Sequence, residues 1–178
     1  MGRFPDVKMD GKLLFEMPRV RVRQVVGADE VSMYSVYGDP VAARWVDDGE
    51  PIAREDCARW IEVTQRNYTK YGYGMSAVEW RKTGAVIGFV GLVHPGGQKE
   101  AEVKYSFLRE FWGQGIGTET VQGMVTYGQR EHGLREIIAT LNPANRASQR
   151  VLEKAGLSFR EDRENDDGSI TRVMAWVA

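Results

Sequence analysis

The spacing of hydrophobic and polar positions changes several times along this chain, and each change marks an element. Arg19-Val20-Arg21-Val22-Arg23 alternates strictly, which predicts a half-buried strand with one apolar and one cationic face. Asp29 is placed to cap a short helix ending near Tyr37-Gly38, and Asp39-Pro40 marks the break after it. Cys57, Trp60, Ile61, Thr64, Tyr68 and Tyr71 step by three and four, predicting a helix that buries this face and stops at Gly72. Residues 74–80 and 85–93 read as strands joined by a hairpin turn at Arg81-Lys82-Thr83-Gly84, and His94-Pro95-Gly96-Gly97 ends the second.

Residues 102–108 form the next predicted strand. A glycine-rich turn, Trp112-Gly113-Gln114-Gly115-Ile116-Gly117-Thr118, leads into a helix with Val121, Met124, Val125 and Gly128 on one face, finishing near His132-Gly133. Residues 136–141 follow as a strand, so the three elements make a strand–helix–strand unit with parallel strands. Asn142-Pro143 breaks it. Asn145 is a plausible cap for a helix carrying Ser148, Val151, Leu152 and Ala155, closed by Gly156. Residues 157–160 and 170–177 make a terminal hairpin around Asp166-Asp167-Gly168.

Composition narrows the class. A length of 178 residues and 42% hydrophobic content suit one globular domain, taken here as residues 1–178 with 1–18 as an irregular extension. The net charge of −1 gives no basic excess for a nucleic acid or a membrane surface. The single cysteine, Cys57, excludes an internal disulfide, and its apolar helical face predicts a buried, inert thiol. No apolar run resembles a signal peptide or a membrane span, and Asp6 stands where a myristoylation motif beginning at Gly2 wants Ser or Thr. A cytoplasmic location is expected.

The glycine turn carries the chemistry. Glycines let the backbone turn sharply and approach a ligand, while the first N–H groups of a helix point outward with its positive dipole end behind them. Such a turn binds phosphate. No Gly-Lys-Ser/Thr closes it, and Gly113, Gly115 and Gly117 run at intervals of two, so neither the P-loop nor the G-x-G-x-x-G pattern fits. A nucleotide site for phosphate transfer is disfavoured too, for want of a lysine after the turn and an acidic motif for Mg²⁺. A pyrophosphate with a longer tail suits the turn better.

Three pieces of the chain resemble the GNAT superfamily of acetyl-CoA-dependent N-acetyltransferases, most closely its RimJ/RimL-like branch. They are Tyr105-Ser106-Phe107-Leu108-Arg109 running into the glycine turn and Glu119, the segment Asn142-Pro143-Ala144-Asn145-Arg146-Ala147-Ser148 with the helix after it, and the order of elements from Arg19 to Ala178. The resemblance implies an α+β fold: a mixed, mostly antiparallel twisted sheet of about six to seven strands, flanked by about four helices, with the parallel unit at the cofactor site. It implies acetyl-CoA as cofactor, with backbone N–H groups of Gly113, Gln114, Gly115, Ile116, Gly117 and Thr118 on the pyrophosphate. The pantetheine arm would pair with the backbone of Phe107 and Leu108 and bond Asn145 and Ser148. Arg109, Arg146, Arg150 and Lys154 would gather near the phosphates.

Acetyl transfer needs a neutral amine, a stabilised oxyanion and a proton for the departing thiolate. By the same resemblance Glu102 is the candidate base and Ser148 the candidate acid, with Tyr105 ranked behind Ser148 and the oxyanion donor placed at a backbone N–H near Phe107. Strand alternation sets Lys104 on the face of Glu102, where a cation would make a poorer base unless a bulge intervened. Each candidate also has a structural reading: a solvated strand glutamate, a first-turn serine serving its own helix, a core tyrosine with a wet hydroxyl. His94 and His132 end elements and suggest no metal site. Trp60, Tyr68 and Tyr71 either line the acceptor side or belong to the core. The acidic loop Asp47, Asp48, Glu50 could attract a cationic amine or be solvated surface, as could residues 161–167. The expected function is acetyl transfer to a primary amine by direct attack in a ternary complex, without a metal. The acceptor is a protein or peptide N-terminus, or next a small-molecule amine. The alternative is a non-catalytic acyl-CoA-binding module. A homodimer is possible.

Overall fold

The computed structural model describes residues 11–178. The alternating segment is β2 (Val20–Gln24), whose Val20 and Val22 are fully buried. Its cationic face is not uniformly solvated. The Arg23 guanidinium is buried, donating to both carboxylate oxygens of Asp29 at 2.8 Å and from Nε to Glu79 at 2.6 Å. This fork satisfies a charge that would otherwise be costly to bury. Asp29 is therefore occupied: it also accepts the Val26 N–H at 2.8 Å, and α1 (Glu30–Tyr37) starts without the expected side-chain cap. Asp39 does cap, accepting the Val41 N–H, and Pro40 opens a short helix, α2 (Pro40–Ala43), where the sequence predicted only a break.

The remaining elements follow the predicted order: α3 (Cys57–Tyr71), β3 (Met75–Trp80), β4 (Val86–Val93), β5 (Ala101–Phe107), α4 (Ile116–His132), β6 (Glu136–Leu141), α5 (Arg146–Lys154), β7 (Ser158–Glu164) and β8 (Ile170–Val177). An eighth strand, β1 (Leu13–Glu16), lies inside the segment expected to be irregular; residues 1–10 of that segment fall outside the described region. Four residues without alternation give no strand signal of their own. β1 is held by pairing with β2 and by the Phe15 ring, which faces Tyr127 at 5.8 Å.

The eight strands among the described residues join one mixed sheet in the order β1-β2-β3-β4-β5-β6-β8-β7. Every neighbouring pair is antiparallel except β5–β6. One face is covered by α4 and α5, which bring Ile116, Val121, Met124 and Leu152 against Val90, Val103, Ile137 and Met174. The other face carries α1 and α3, with Met33, Val36, Cys57 and Ile61 packed on Met75, Ala77 and Phe89. Cys57 is buried as expected.

The parallel pair decides where a ligand can go. β5 and β6 pair at only two positions, Ala101 with Ile137 and Glu102 with Ile138. Beyond Glu102, β5 stays in register with β4 as far as Phe107, and β6 stays with β8 as far as Leu141, so the sheet splits between them.

Candidate active site

A cleft of about 1130 Å³ occupies this split. Side chains from both faces of the sheet line it: Val103, Tyr105 and Phe107 from one face of β5, Lys104 and Ser106 from the other, and Ala139, Thr140 and Leu141 from β6. It runs from the mouth of α4 to a wall made by α3, the end of β4 and the loop after α2. Strand alternation fixes which backbone groups face it. The Leu108 N–H is committed to the Ile87 carbonyl on the β4 side at 2.9 Å, and the Leu108 carbonyl accepts from Phe111. The edge open to the split is therefore that of Tyr105 and Phe107, not Leu108. The Phe107 carbonyl is taken by the Trp112 indole N–H at 2.9 Å, a contact with no sequence signal.

At the α4 end, Gly113 and Gly115 have φ of 70° and 78°, left-handed values that a side chain disfavours. The first intrahelical bond here runs from the Glu119 N–H to the Gly115 carbonyl, which leaves the amides of Ile116, Gly117 and Thr118 projecting from the helix mouth. Gly113, Gly115, Ile116, Gly117 and Thr118 all line the cleft; Gln114 does not. Gln114 instead braces the turn, its carbonyl accepting from Arg19 Nη1 at 2.8 Å and its amide reaching the Glu110 carbonyl. Arg19 also binds Glu119 through its Nε and its backbone N–H, both at 2.7 Å. Arg109 is turned away, paired with Asp39 at 2.5 Å, and Arg146 is not on the cleft wall. Arg150 and Lys154 of α5 are the cations that line this end. Free amides, an open strand edge and two cations fit coenzyme A.

In the middle of the cleft the Tyr105 hydroxyl and Ser148 Oγ are 2.6 Å apart. Burial pushes the Tyr105 phenol up to about 12, partly opposed by Ser148, so it keeps its proton at neutral pH. Asn145 caps α5 as expected, accepting the Ser148 N–H at 3.1 Å, and this positions Ser148. Asn145, Ser148 and Tyr105 all line the cleft.

Glu102 is placed differently. It is buried, 3% exposed, and does not line the cleft. Its Oε1 accepts from the Thr140 hydroxyl at 2.5 Å, and its Oε2 from the Gln98 amide at 3.3 Å. Thr140, on the adjacent strand, does line the cleft and connects the carboxylate to it. No bulge separates Glu102 from Lys104, yet the expected conflict does not arise, because Lys104 Nζ pairs with Asp47 at 2.9 Å. Of the acidic loop only Asp47 reaches the cleft; Asp48 is turned to its own loop, accepting the Glu50 N–H.

The far wall is aromatic. Tyr37, Trp45, Trp60 and Tyr71 line it with His94, while Tyr68 is half-buried off the cleft wall, its hydroxyl bonding Val25 and Met75. His94 stacks on Tyr71 at 4.4 Å. Its Nδ1 must donate to the Gln98 carbonyl at 2.9 Å, so Nε2 of the neutral ring accepts from the Tyr73 hydroxyl at 2.8 Å. Both nitrogens are thus held by the protein.

A split parallel pair, a helix mouth of free amides on its edge and a hydrogen-bonded Tyr105–Ser148 pair between them fit an acyl-coenzyme A transferase architecture. Residues 19–158 match the family model described as acetyltransferase (GNAT) domain, and the chain belongs to that family. It is an acetyl-CoA-dependent acetyltransferase. The uncharacterized protein YkkB of Bacillus subtilis is 27% identical over 154 residues, covering 85% of this chain and 88% of that protein. The fold is similar to RimL, a ribosomal L7/L12 α-N-protein acetyltransferase solved with coenzyme A, with a TM-score of 0.79, 15% identity, and 93% and 98% of the two chains covered. It is also similar to AAC(6')-Ib solved with ribostamycin and coenzyme A, with a TM-score of 0.75, 16% identity, and 89% and 93% covered. No helix among the described residues is long and apolar enough to cross a membrane.

Proposed function

We propose that the protein transfers acetyl from acetyl-CoA to the nitrogen of a primary amine by direct attack, with both substrates bound together. The observation that carries this is the cleft running through the sheet, which joins the mouth of α4 to an aromatic wall with the Tyr105–Ser148 pair between them. When bound, acetyl-CoA supplies the thioester carbonyl that is attacked and the thiol that leaves.

The residues supply positioning and two proton movements. The amides of Gly113, Gly115, Ile116, Gly117 and Thr118 hold the diphosphate, with Arg150 and Lys154 beside it. The open edge at Tyr105 and the Phe107 N–H, with Asn145, orients the arm. Glu102 takes the proton of the incoming ammonium through Thr140: the amine proton passes to Oγ1 as the hydroxyl proton passes to the carboxylate. Tyr105 and Ser148 deliver a proton to the sulfur side, to be replaced by the second proton of the amine.

The likeness to RimL supports a protein or peptide N-terminus as acceptor, and the likeness to AAC(6')-Ib keeps a small-molecule amine as the second choice. A binding-only module is the competing reading, favoured by the retreat of Glu102 from the cleft wall. Thiol release from acetyl-CoA against a panel of peptides and small amines separates them. Turnover with any acceptor supports the transferase; tight coenzyme A binding with no turnover supports the module.

A further inference from the structure

The charges on the cleft wall are uneven. Among the described residues, Arg44, Lys70, Lys104, Arg150 and Lys154 line it against a single carboxylate, Asp47. Arg150 and Lys154 stand at the coenzyme end, where phosphates match them. At the acceptor end Lys104 and Asp47 cancel each other as an ion pair. Arg44 and Lys70 remain, and among the described residues neither has a carboxylate partner. Both are held at the wall: the Arg44 guanidinium lies 4.5 Å from the Trp45 ring centroid and Lys70 Nζ 4.8 Å from that of Tyr71. Both rings themselves line the cleft.

We infer that the acceptor is an amine whose own framework carries a carboxylate near the amino group, and that Arg44 and Lys70 recognise this carboxylate. The inference rests on the acetyl-transfer reading and narrows its substrate class. Two cations of one sign beside a partly enclosed cleft raise the local concentration of anions and repel polycations. The acidic loop, which on its residues alone could have drawn in a cationic amine, does not offset this, because its one cleft-facing carboxylate is already paired with Lys104. Polyamines and aminoglycosides are therefore poor acceptors. A carboxylate beside an amine occurs in a free amino acid and in a peptide with an acidic residue next to its N-terminus, and a single assay can separate the two.

The test compares kcat/KM within pairs of acceptors that differ by one charge, an Ala-Glu-Ala amide against an Ala-Gln-Ala amide and free alanine against alanine amide, with spermidine as a polycationic reference. The expected result is an advantage of about tenfold for the carboxylate-bearing member of at least one pair, from two partly exposed charge contacts. The pair that responds identifies the source. The advantage shrinks when ionic strength is raised to about 0.5 M, where screening acts within a few ångströms. It also falls toward one in the Arg44→Gln/Lys70→Gln double variant. Ratios near one in both pairs, a preference for spermidine, or an advantage unchanged in the double variant would overturn the inference while leaving acetyl transfer intact. Failure of every acceptor while coenzyme A still binds overturns the transferase reading beneath it.

Discussion

Thr140 donates its hydroxyl hydrogen to Glu102 across the parallel strand pair, at 2.5 Å, and of the two only Thr140 faces the cleft. A carboxylate held behind a hydroxyl can act as a base only through that hydroxyl. Glu102→Gln should lower kcat roughly 10²-fold, the usual worth of a positioned base. Thr140→Val, which keeps the shape and removes the relay, should lower kcat and alter the acid limb of the pH–rate profile, with little change in KM for acetyl-CoA. Thr140→Ser should restore both. A Thr140→Val profile identical to wild type removes the relay from the mechanism.

Tyr105 and Ser148 share one hydrogen bond, so their removal should not be additive. Tyr105→Phe and Ser148→Ala are each expected to lower kcat by roughly ten- to a hundredfold, and the double variant by no more than the worse single. Steady-state kinetics on the three proteins checks this. Multiplying losses would mean two independent roles.

Arg19 donates to the Gln114 carbonyl and to Glu119 in the first turn of α4, holding the glycine turn proposed for the diphosphate from behind. Its side chain is partly exposed, so the contact is modest. Arg19→Ala should raise the Kd for coenzyme A about fivefold by calorimetric titration. Gly115→Asp should abolish measurable binding, because it puts a side chain at a left-handed φ and a negative charge at the phosphate cradle. Unchanged affinity in Gly115→Asp would move the diphosphate elsewhere.

The contrast between these residues explains what the sequence could disclose. Local features were readable: positive φ at Gly113 and Gly115, the Asn145 cap, the burial pattern of α4 and the parallel unit all follow from neighbours a few residues apart. The contacts that shape the site join distant segments. Glu102 and Thr140 are 38 residues apart and meet through the register of a ladder only two pairs long. Arg19 and Glu119 are 100 apart. Leu108 drops off the open edge because pairing with β4 claims its N–H, and Arg109 leaves the site because Asp39 claims its charge. Periodicity specifies which residues share a face; it does not specify which edge of a strand is left open or which partner captures a charge.

Tyr68 ties α3 to two strands. Its hydroxyl accepts the Val25 N–H at 2.9 Å and donates to the Met75 carbonyl. Burial raises its pKa to about 12, so the hydroxyl stays neutral across the working range. Tyr68→Phe removes no packing volume of note but leaves a donor and an acceptor unpaired. Stability should fall by about 1–3 kcal/mol, from roughly 0.5–1.5 kcal/mol for each of the two part-buried hydrogen bonds lost. Urea unfolding checks the figure, and a loss under about 0.5 kcal/mol would mean that water replaces the hydroxyl.

His132 closes α4 with its ring edge-on to Tyr73 and Tyr127, at 4.9 Å and 5.0 Å between centroids. Its Nε2 is buried and has no hydrogen-bond partner among the described residues. Burial lowers its pKa from the ordinary 6.5, outweighing the pull of Glu131 toward the charged form. The folded chain therefore binds fewer protons at this site than the unfolded chain does, and unfolding takes up a proton between the lowered value and 6.5. The sign follows: this contribution to stability is fully present above pH 6.5 and is lost as pH falls through the folded value. His132→Phe keeps a ring against both tyrosines and has nothing to protonate. Melting temperatures measured from pH 8 to pH 5 should therefore fall less steeply in the variant than in wild type. Parallel acid limbs would show that the His132 ring reaches water when charged.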